Sequence, residues 1–97
     1  MYKNKKYRIG SYVRVSREEQ AENPEGSIKN QEQRLRESII WRNNSSSFGE
    51  LAGVYVDAGI SAKDMKRPKL LEMLQDMRSG KINLIMVTEL SRLSRNN

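Results

Sequence analysis

Apolar residues in this chain follow two rhythms. Runs crowded with aromatic and β-branched residues fall at 7–15 (YRIGSYVRV), 51–57 (LAGVYVD) and 82–90 (INLIMVTEL), and each reads as a strand. Between them the apolar positions spread to helical spacing. Ile28, Leu35 and Ile39 fall near one face of a segment that Ser27 can cap and that reaches Trp41 or Arg42. Leu70, Leu71, Leu74 and Met77 form a stripe behind Pro68, a residue suited to a first helical turn, and Ser79-Gly80 ends that segment. The stretch YVRVSREEQ (12–20) predicts a strand running straight into a helix. AENPEG (21–26), NNSSSFG (43–49) and AGISAKDMKR (58–67) are polar and turn-rich, and predict loops.

The resulting order, β-α-β-α-β, predicts an open, mostly parallel α/β sheet in three layers with right-handed crossovers. The third run is greasy on both faces, the mark of a central strand covered on both sides. The chain stops at SRLSRNN with no closing helix, and so reads as a truncated domain whose remaining elements lie elsewhere. Ligands of such sheets bind outside the carboxyl ends of the strands. Those ends carry Arg14-Val15-Ser16, Asp57, and the stretch from Glu89 to Arg95.

Composition narrows the chemistry. Ninety-seven residues suit one small domain, which we divide into a loose basic arm at 1–6 and a folded part from 7 to 97. The net charge of +6 favours an anionic partner such as nucleic acid. The arm, with Lys3, Lys5, Lys6 and the adjoining Arg8, reads as a solvated tail or as a phosphate contact. There is no cysteine, which excludes disulfides and thiolate chemistry. There is no histidine either, which removes the commonest general base and metal ligand. No apolar run approaches bilayer length and no signal-peptide core follows the basic start, so a soluble, cytoplasmic protein is expected.

A serine hydroxyl is a weak nucleophile that needs help, and a Ser-His-Asp arrangement is impossible here. The helpers on offer are Arg14, Arg67, Arg92 and Arg95. Guanidinium groups are poor bases, but they fit phosphate oxygens and stabilise charge growing in a phosphoryl transition state. Ser16 amid arginines therefore points to a phosphoryl electrophile. Each residue also has an ordinary reading. Arg14 alone could be a surface arginine, Ser16 a helix cap, Asp57 a loop cap, and SRLSR a solvated helix face over Leu90 and Leu93.

Four stretches together resemble the serine recombinases, the family of resolvases, invertases and large integrases. They are YVRVSREEQ, GSIKNQ (26–31), VDAGISAKDMKRP (56–68) and ELSRLSRN (89–96), in that family's order from Tyr7 onwards. The resemblance implies a resolvase-like catalytic domain in which Ser16 attacks a DNA phosphodiester, forming a 5′-phosphoserine link and freeing a 3′-hydroxyl. It implies that Arg14, Arg67, Arg92 and Arg95 bind the phosphate, and that Gln20, Gln31, Asp57 and Ser61 support the site. It implies double-stranded DNA as partner, a homodimer and tetramer in the full-length protein, and no metal or other cofactor. The longer segment between Gln20 and Gln31 is similar to that of large integrases and conjugative-transposon recombinases.

Two positions depart from the family pattern. Ser91 stands where the family often has Asp, which leaves the general base open between Glu89, Asp57 and neither. Ser61-Ala62 replaces the commoner Ser-Gly. Three rival readings stand beside this one. A metal-dependent nuclease would need clustered carboxylates such as D-x-D, and a phospho-receiver would need paired acids after its first strand. Neither is present. The third is a recombinase remnant that binds DNA or a partner without cutting, and the isolated fragment is expected to be inactive for lack of the dimer helix.

Overall fold

A computed structural model describes residues 6–22, 26–60, 67–89 and 92–93, save the side chains of Glu19, Gln20, Gly26 and Ile60. The elements are β1 (Tyr7–Ser16), α1 (Arg17–Glu22), α2 (Gly26–Ser45), β2 (Gly49–Ile60), α3 (Pro68–Ser79) and β3 (Leu84–Met86). The three strands form one parallel sheet in the order β2-β1-β3. The open parallel α/β fold expected from the sequence is the one present.

Among the described residues the centre of the sheet is β1, flanked by β2 and β3. Among the described residues β3 is an edge, paired with β1 only through Ile9–Leu84, Gly10–Ile85 and Ser11–Met86. Its residues are half-buried, whereas β1 is buried from Ile9 to Val13 and again at Val15. Asn83 accounts for the late start: its side-chain oxygen accepts the Arg8 N–H at 2.7 Å and its own N–H donates to the Arg8 carbonyl at 2.8 Å. Ile82 lies before that link and is wholly buried in the core.

Successive residues of a strand face opposite sides of the sheet. Tyr12 and Tyr55, paired across β1 and β2, form one core layer with Met73 and Ile82, against which Leu70, Met77, Ile85, Val87 and Leu93 pack. The alternate residues Ile9, Val13 and Val15 turn to the other face, the side of α2 with its buried Leu35 and Ile39. The expected stripe of α3 is rotated. Met73 is its fully buried residue, flanked by Leu70 and Met77, while Leu71 and Leu74 are exposed. The core offers α3 one strip at the i, i+3, i+7 spacing, and Leu71 and Leu74 fall outside it.

Element ends also shifted for local reasons. The first loop begins later than expected, because Ala21 and Glu22 belong to α1. Helix α2 runs on to Ser45, where the Asn43 amide accepts the N–H groups of Phe48 and Gly49 and donates to the Gly49 carbonyl. Strand β2 is longer than expected because two register shifts absorb an extra residue each, Ala52 and Gly59. Gly59, opposite the end of β1, has φ 72°, a backbone state that favours glycine. Helix α3 closes as the sequence predicts: Gly80 is left-handed (φ 89°), with Gly80 N–H on the Met77 carbonyl and Lys81 N–H on that of Asp76.

Candidate active site

The strand order places β2 and β3 on opposite sides of β1, so the chain's direction of winding reverses between β1 and β3. Crevices for ligands open at the carboxyl end of such a reversal. Ser16 ends β1 there, half-buried, immediately before α1 and opposite the Gly59 bulge.

Arg14 lies two residues before Ser16, in register with Asp57 of β2. Its Nε donates to the Arg92 carbonyl at 3.0 Å, crossing from β1 to the segment after β3. Arg67 is buried at the start of α3, and one of its terminal nitrogens donates to the Leu93 carbonyl at 3.0 Å. Two guanidinium groups thus hold consecutive carbonyls of one segment, and that segment carries a third, Arg92. Arg14 and Arg67, far apart in sequence, thus reach the same short segment.

Gln31, buried on α2, donates from Nε2 to the Arg14 carbonyl at 3.3 Å and to the Ser27 hydroxyl at 3.4 Å. Ser27 itself lies inside the first turn of α2 rather than before it. The other amide atom of Gln31, Oε1, is buried with no hydrogen-bond partner among the described residues. The expected roles of Arg95, Ser61 and Ser91 lie outside the described residues, as does the side chain of Gln20.

Asp57 is buried and its carboxylate accepts three hydrogen bonds. Oδ1 takes the Lys69 N–H at 3.0 Å, and Oδ2 takes the Leu70 N–H at 3.1 Å and the Tyr12 hydroxyl at 2.8 Å. The first residues of a helix leave N–H groups without intrahelical acceptors. Arg67, at the cap position of α3, gives no side-chain bond to them, and the first turn holds no acid. Asp57 therefore caps α3 from a neighbouring strand. Its charge also offsets the positive helix end, next to which a buried arginine is otherwise disfavoured.

Tyr12 is the site residue that the sequence reading missed. Burial, then the hydrogen bond to Asp57 and that residue's charge, push its phenol far above the ordinary 10, against the opposing pull of Arg67 and Arg14. It is a neutral donor, not a base. Its neighbour Tyr55 behaves alike: burial and its bond to Asp76 Oδ2 at 2.6 Å push it up to about 12. An ionised phenol is thus harder to form folded than unfolded, so the stability these phenols contribute is full below pH 10 and declines above it. The urea midpoint should fall between pH 10 and about 12, and Tyr55→Phe should flatten that fall. A midpoint flat across this window would contradict the assignment.

No group of three or more His, Cys, Asp or Glu side chains able to hold a metal ion occurs among the described residues. None of the described helices is long and apolar enough to cross a membrane.

A serine at the end of the middle strand, with two arginines bonded to the segment after β3, sits on a parallel α/β sheet at its winding reversal. Comparison with known proteins gives the family. Residues 9–97 match the model of the resolvase N-terminal domain, so the chain belongs to that family, that of the serine recombinase catalytic domains. It is 42% identical over 81 residues to uncharacterized immunity region protein 3 of Bacillus phage phi105, covering 82% of this chain and 90% of the phage protein. The crystal structure of the N-terminal catalytic domain of TP901-1 integrase is similar with a TM-score of 0.73 at 30% identity, over 95% of this chain. This chain spans 62% of the length of that one.

Proposed function

We propose that this chain is the catalytic part of a DNA recombinase in which Ser16 is the nucleophile. The Ser16 hydroxyl attacks the phosphorus of a DNA phosphodiester, and the bond from phosphorus to the 3′ oxygen breaks. The serine proton is lost, and the departing oxygen takes up a proton to become a 3′-hydroxyl. The 5′ end stays on the protein as a phosphoserine. Attack by a 3′-hydroxyl on that phosphoserine reverses the step and rejoins DNA, so no external energy source is needed. Arg14, Arg67 and Arg92 stabilise the charge that builds on the phosphoryl oxygens, with Arg95 as a fourth by the family pattern. Ser61 and Gln20 belong to the same proposal.

The observation that carries this reading is the meeting of Arg14 with the Arg92 carbonyl and of Arg67 with the Leu93 carbonyl beside the end of β1. Phosphoryl transfer asks chiefly for positioning and charge neutralisation, and this rim offers both. The net charge of +6 suits a duplex DNA partner, with binding that weakens as salt rises. Assembly into dimers and tetramers by the whole protein is part of the same proposal.

A second reading, a domain that binds without cutting, is favoured by the phage phi105 relative, whose own length is close to that of this chain. Covalent trapping separates the two. The natural protein carrying these residues is incubated in EDTA with end-labelled duplexes spanning the junctions of its genetic element, then denatured and resolved on a gel. A labelled protein–DNA adduct is expected. Its absence would overturn the catalytic reading in favour of the binding one.

A further inference from the structure

At the amino ends of the strands a cleft of about 420 Å³ opens among Lys6, Tyr7, Ser46, Ser47, Phe48 and Asn83. Tyr7 and Ser16 are the first and last of the 10 residues of β1. At the rise of a strand, the cleft therefore lies about 30 Å from Ser16. Its walls are tied down by hydrogen bonds. The Asn43 side chain holds Phe48 and Gly49, and the Phe48 carbonyl accepts the Tyr7 N–H at 2.9 Å. Asn83 is fixed by the Arg8 N–H, which its Oδ1 accepts.

Two aromatic rings meet here, outside both core layers. Tyr7 is 45% exposed and contacts Phe48 edge to face, with ring centres 5.3 Å apart and planes at 63°. The Arg42 guanidinium lies over the Phe48 ring at 5.2 Å, so a cation already occupies one face of that ring. The polar groups of the cleft are chiefly donors. With Oδ1 committed to Arg8, the Asn83 amide has only its NH2 to offer a ligand. Lys6 adds an ammonium, and Ser47 a hydroxyl. A stacking ring, a cation and an amide donor in one cleft suit the three parts of a nucleotide: the base face, the phosphate and the base's acceptor atoms. The volume also falls in the range of roughly 300–1,000 Å³ usual for small-ligand sites.

We infer that this amino-end cleft is a second binding site, separate from Ser16, for a nucleoside monophosphate unit whose base is unpaired. Tyr7 stacks on the base, the Asn83 amide donates to a carbonyl or ring nitrogen of the base, and Lys6 pairs with the phosphate. A duplex cannot supply such a unit, because its bases stack on one another and show only their edges. The unit arrives either as a free nucleotide or within a single strand. No residue of the Ser16 site enters the inference, so it stands apart from the catalytic reading.

Photo-cross-linking reads such stacking directly. The natural protein carrying these residues is irradiated with a short oligothymidine holding one bromodeoxyuridine, and the labelled residue is located by mass spectrometry. The adduct is expected on Tyr7 or Phe48, and the same base within a duplex should label about ten-fold less. Asn83→Asp keeps the oxygen that accepts the Arg8 N–H but puts a negative charge where the amide donor was. It should cut labelling about ten-fold or more. Tyr7→Leu keeps an apolar neighbour for Phe48 and should weaken oligothymidine binding about ten-fold. Thymidine monophosphate as competitor separates the two sources. An adduct that it erases marks the free nucleotide as sufficient, and one that it leaves marks the strand. Erasure by inorganic phosphate would overturn the inference, as would equal labelling of the duplex or undiminished labelling of Asn83→Asp. So would no adduct at all, or one confined to residues outside the cleft such as the exposed Trp41.

Discussion

Ser16→Ala is expected to abolish the covalent protein–DNA adduct altogether while leaving the domain folded and able to bind DNA. Alanine at this position removes a single oxygen from a half-buried residue at the last position of β1. The core layers lie upstream, at Ile9, Tyr12, Val13 and Val15, so the change in stability should stay within about 0.5 kcal/mol, as for substitutions outside the core. Activity responds differently. The chain has no histidine or cysteine, the neighbouring Val15 and Arg17 carry no hydroxyl, and an arginine cannot replace a nucleophile. The loss should therefore be total rather than graded, with no residual adduct on long incubation. An adduct of undiminished yield from the alanine protein would place the nucleophile elsewhere.

The second large effect is on stability. Asp57→Ala should cost about 3–5 kcal/mol, because it strands a buried phenol and two helix N–H groups at once and leaves buried Arg67 beside an uncompensated helix end. A domain of this size has only about 5–15 kcal/mol to lose, so the variant should be largely unfolded near its working temperature. Asp57→Asn keeps the shape and one acceptor oxygen, and should cost roughly 1–2 kcal/mol. Urea denaturation followed by circular dichroism measures both. Equal midpoints for the alanine variant and the unsubstituted protein would mean that water replaces the carboxylate without penalty.

Much of the fold is written locally. Pro68 and Ser79-Gly80 mark both ends of α3, and the aromatic, β-branched run at 7–15 marks β1 to within one residue. What sequence periodicity does not carry is where each element meets the rest. Whether an apolar strand sits in the middle or at an edge depends on which strands the crossovers bring beside it, and among the described residues β1 takes the central place. Rotation of α3 about its axis is likewise set by the cavity it fills, which put Met73 inward and Leu71 outward.

The site was legible as a set of strand-end residues, because the chain order alone puts Arg14, Ser16 and Asp57 on one edge. Its internal wiring was not. Asp57 and the two N–H groups it caps are 12 and 13 residues apart, and Tyr12 is 45 residues from Asp57. A hint did exist: the helix starting at Pro68 has neither a capping side chain before it nor an acid in its first turn. A buried helix end without a local cap calls for a distant acceptor. Read that way, an arginine rather than a Ser, Thr, Asp or Asn directly before Pro68 points to a strand-end carboxylate.

Tyr12 and Tyr55 are side by side in the sheet, and each reaches an aspartate, Tyr12 to Asp57 at the start of α3 and Tyr55 to Asp76 in its last turn. A rod pinned at one end can pivot, and one pinned at both cannot. Helix α3 is the second kind, fastened to β2 at both ends like a beam on two brackets, by Asp57 at its start and by Tyr55 in its last turn. A movement that carries the backbone of Arg67 must therefore either break one of these fastenings or carry the strands along. The arginine at the head of α3 behaves mechanically as part of the sheet.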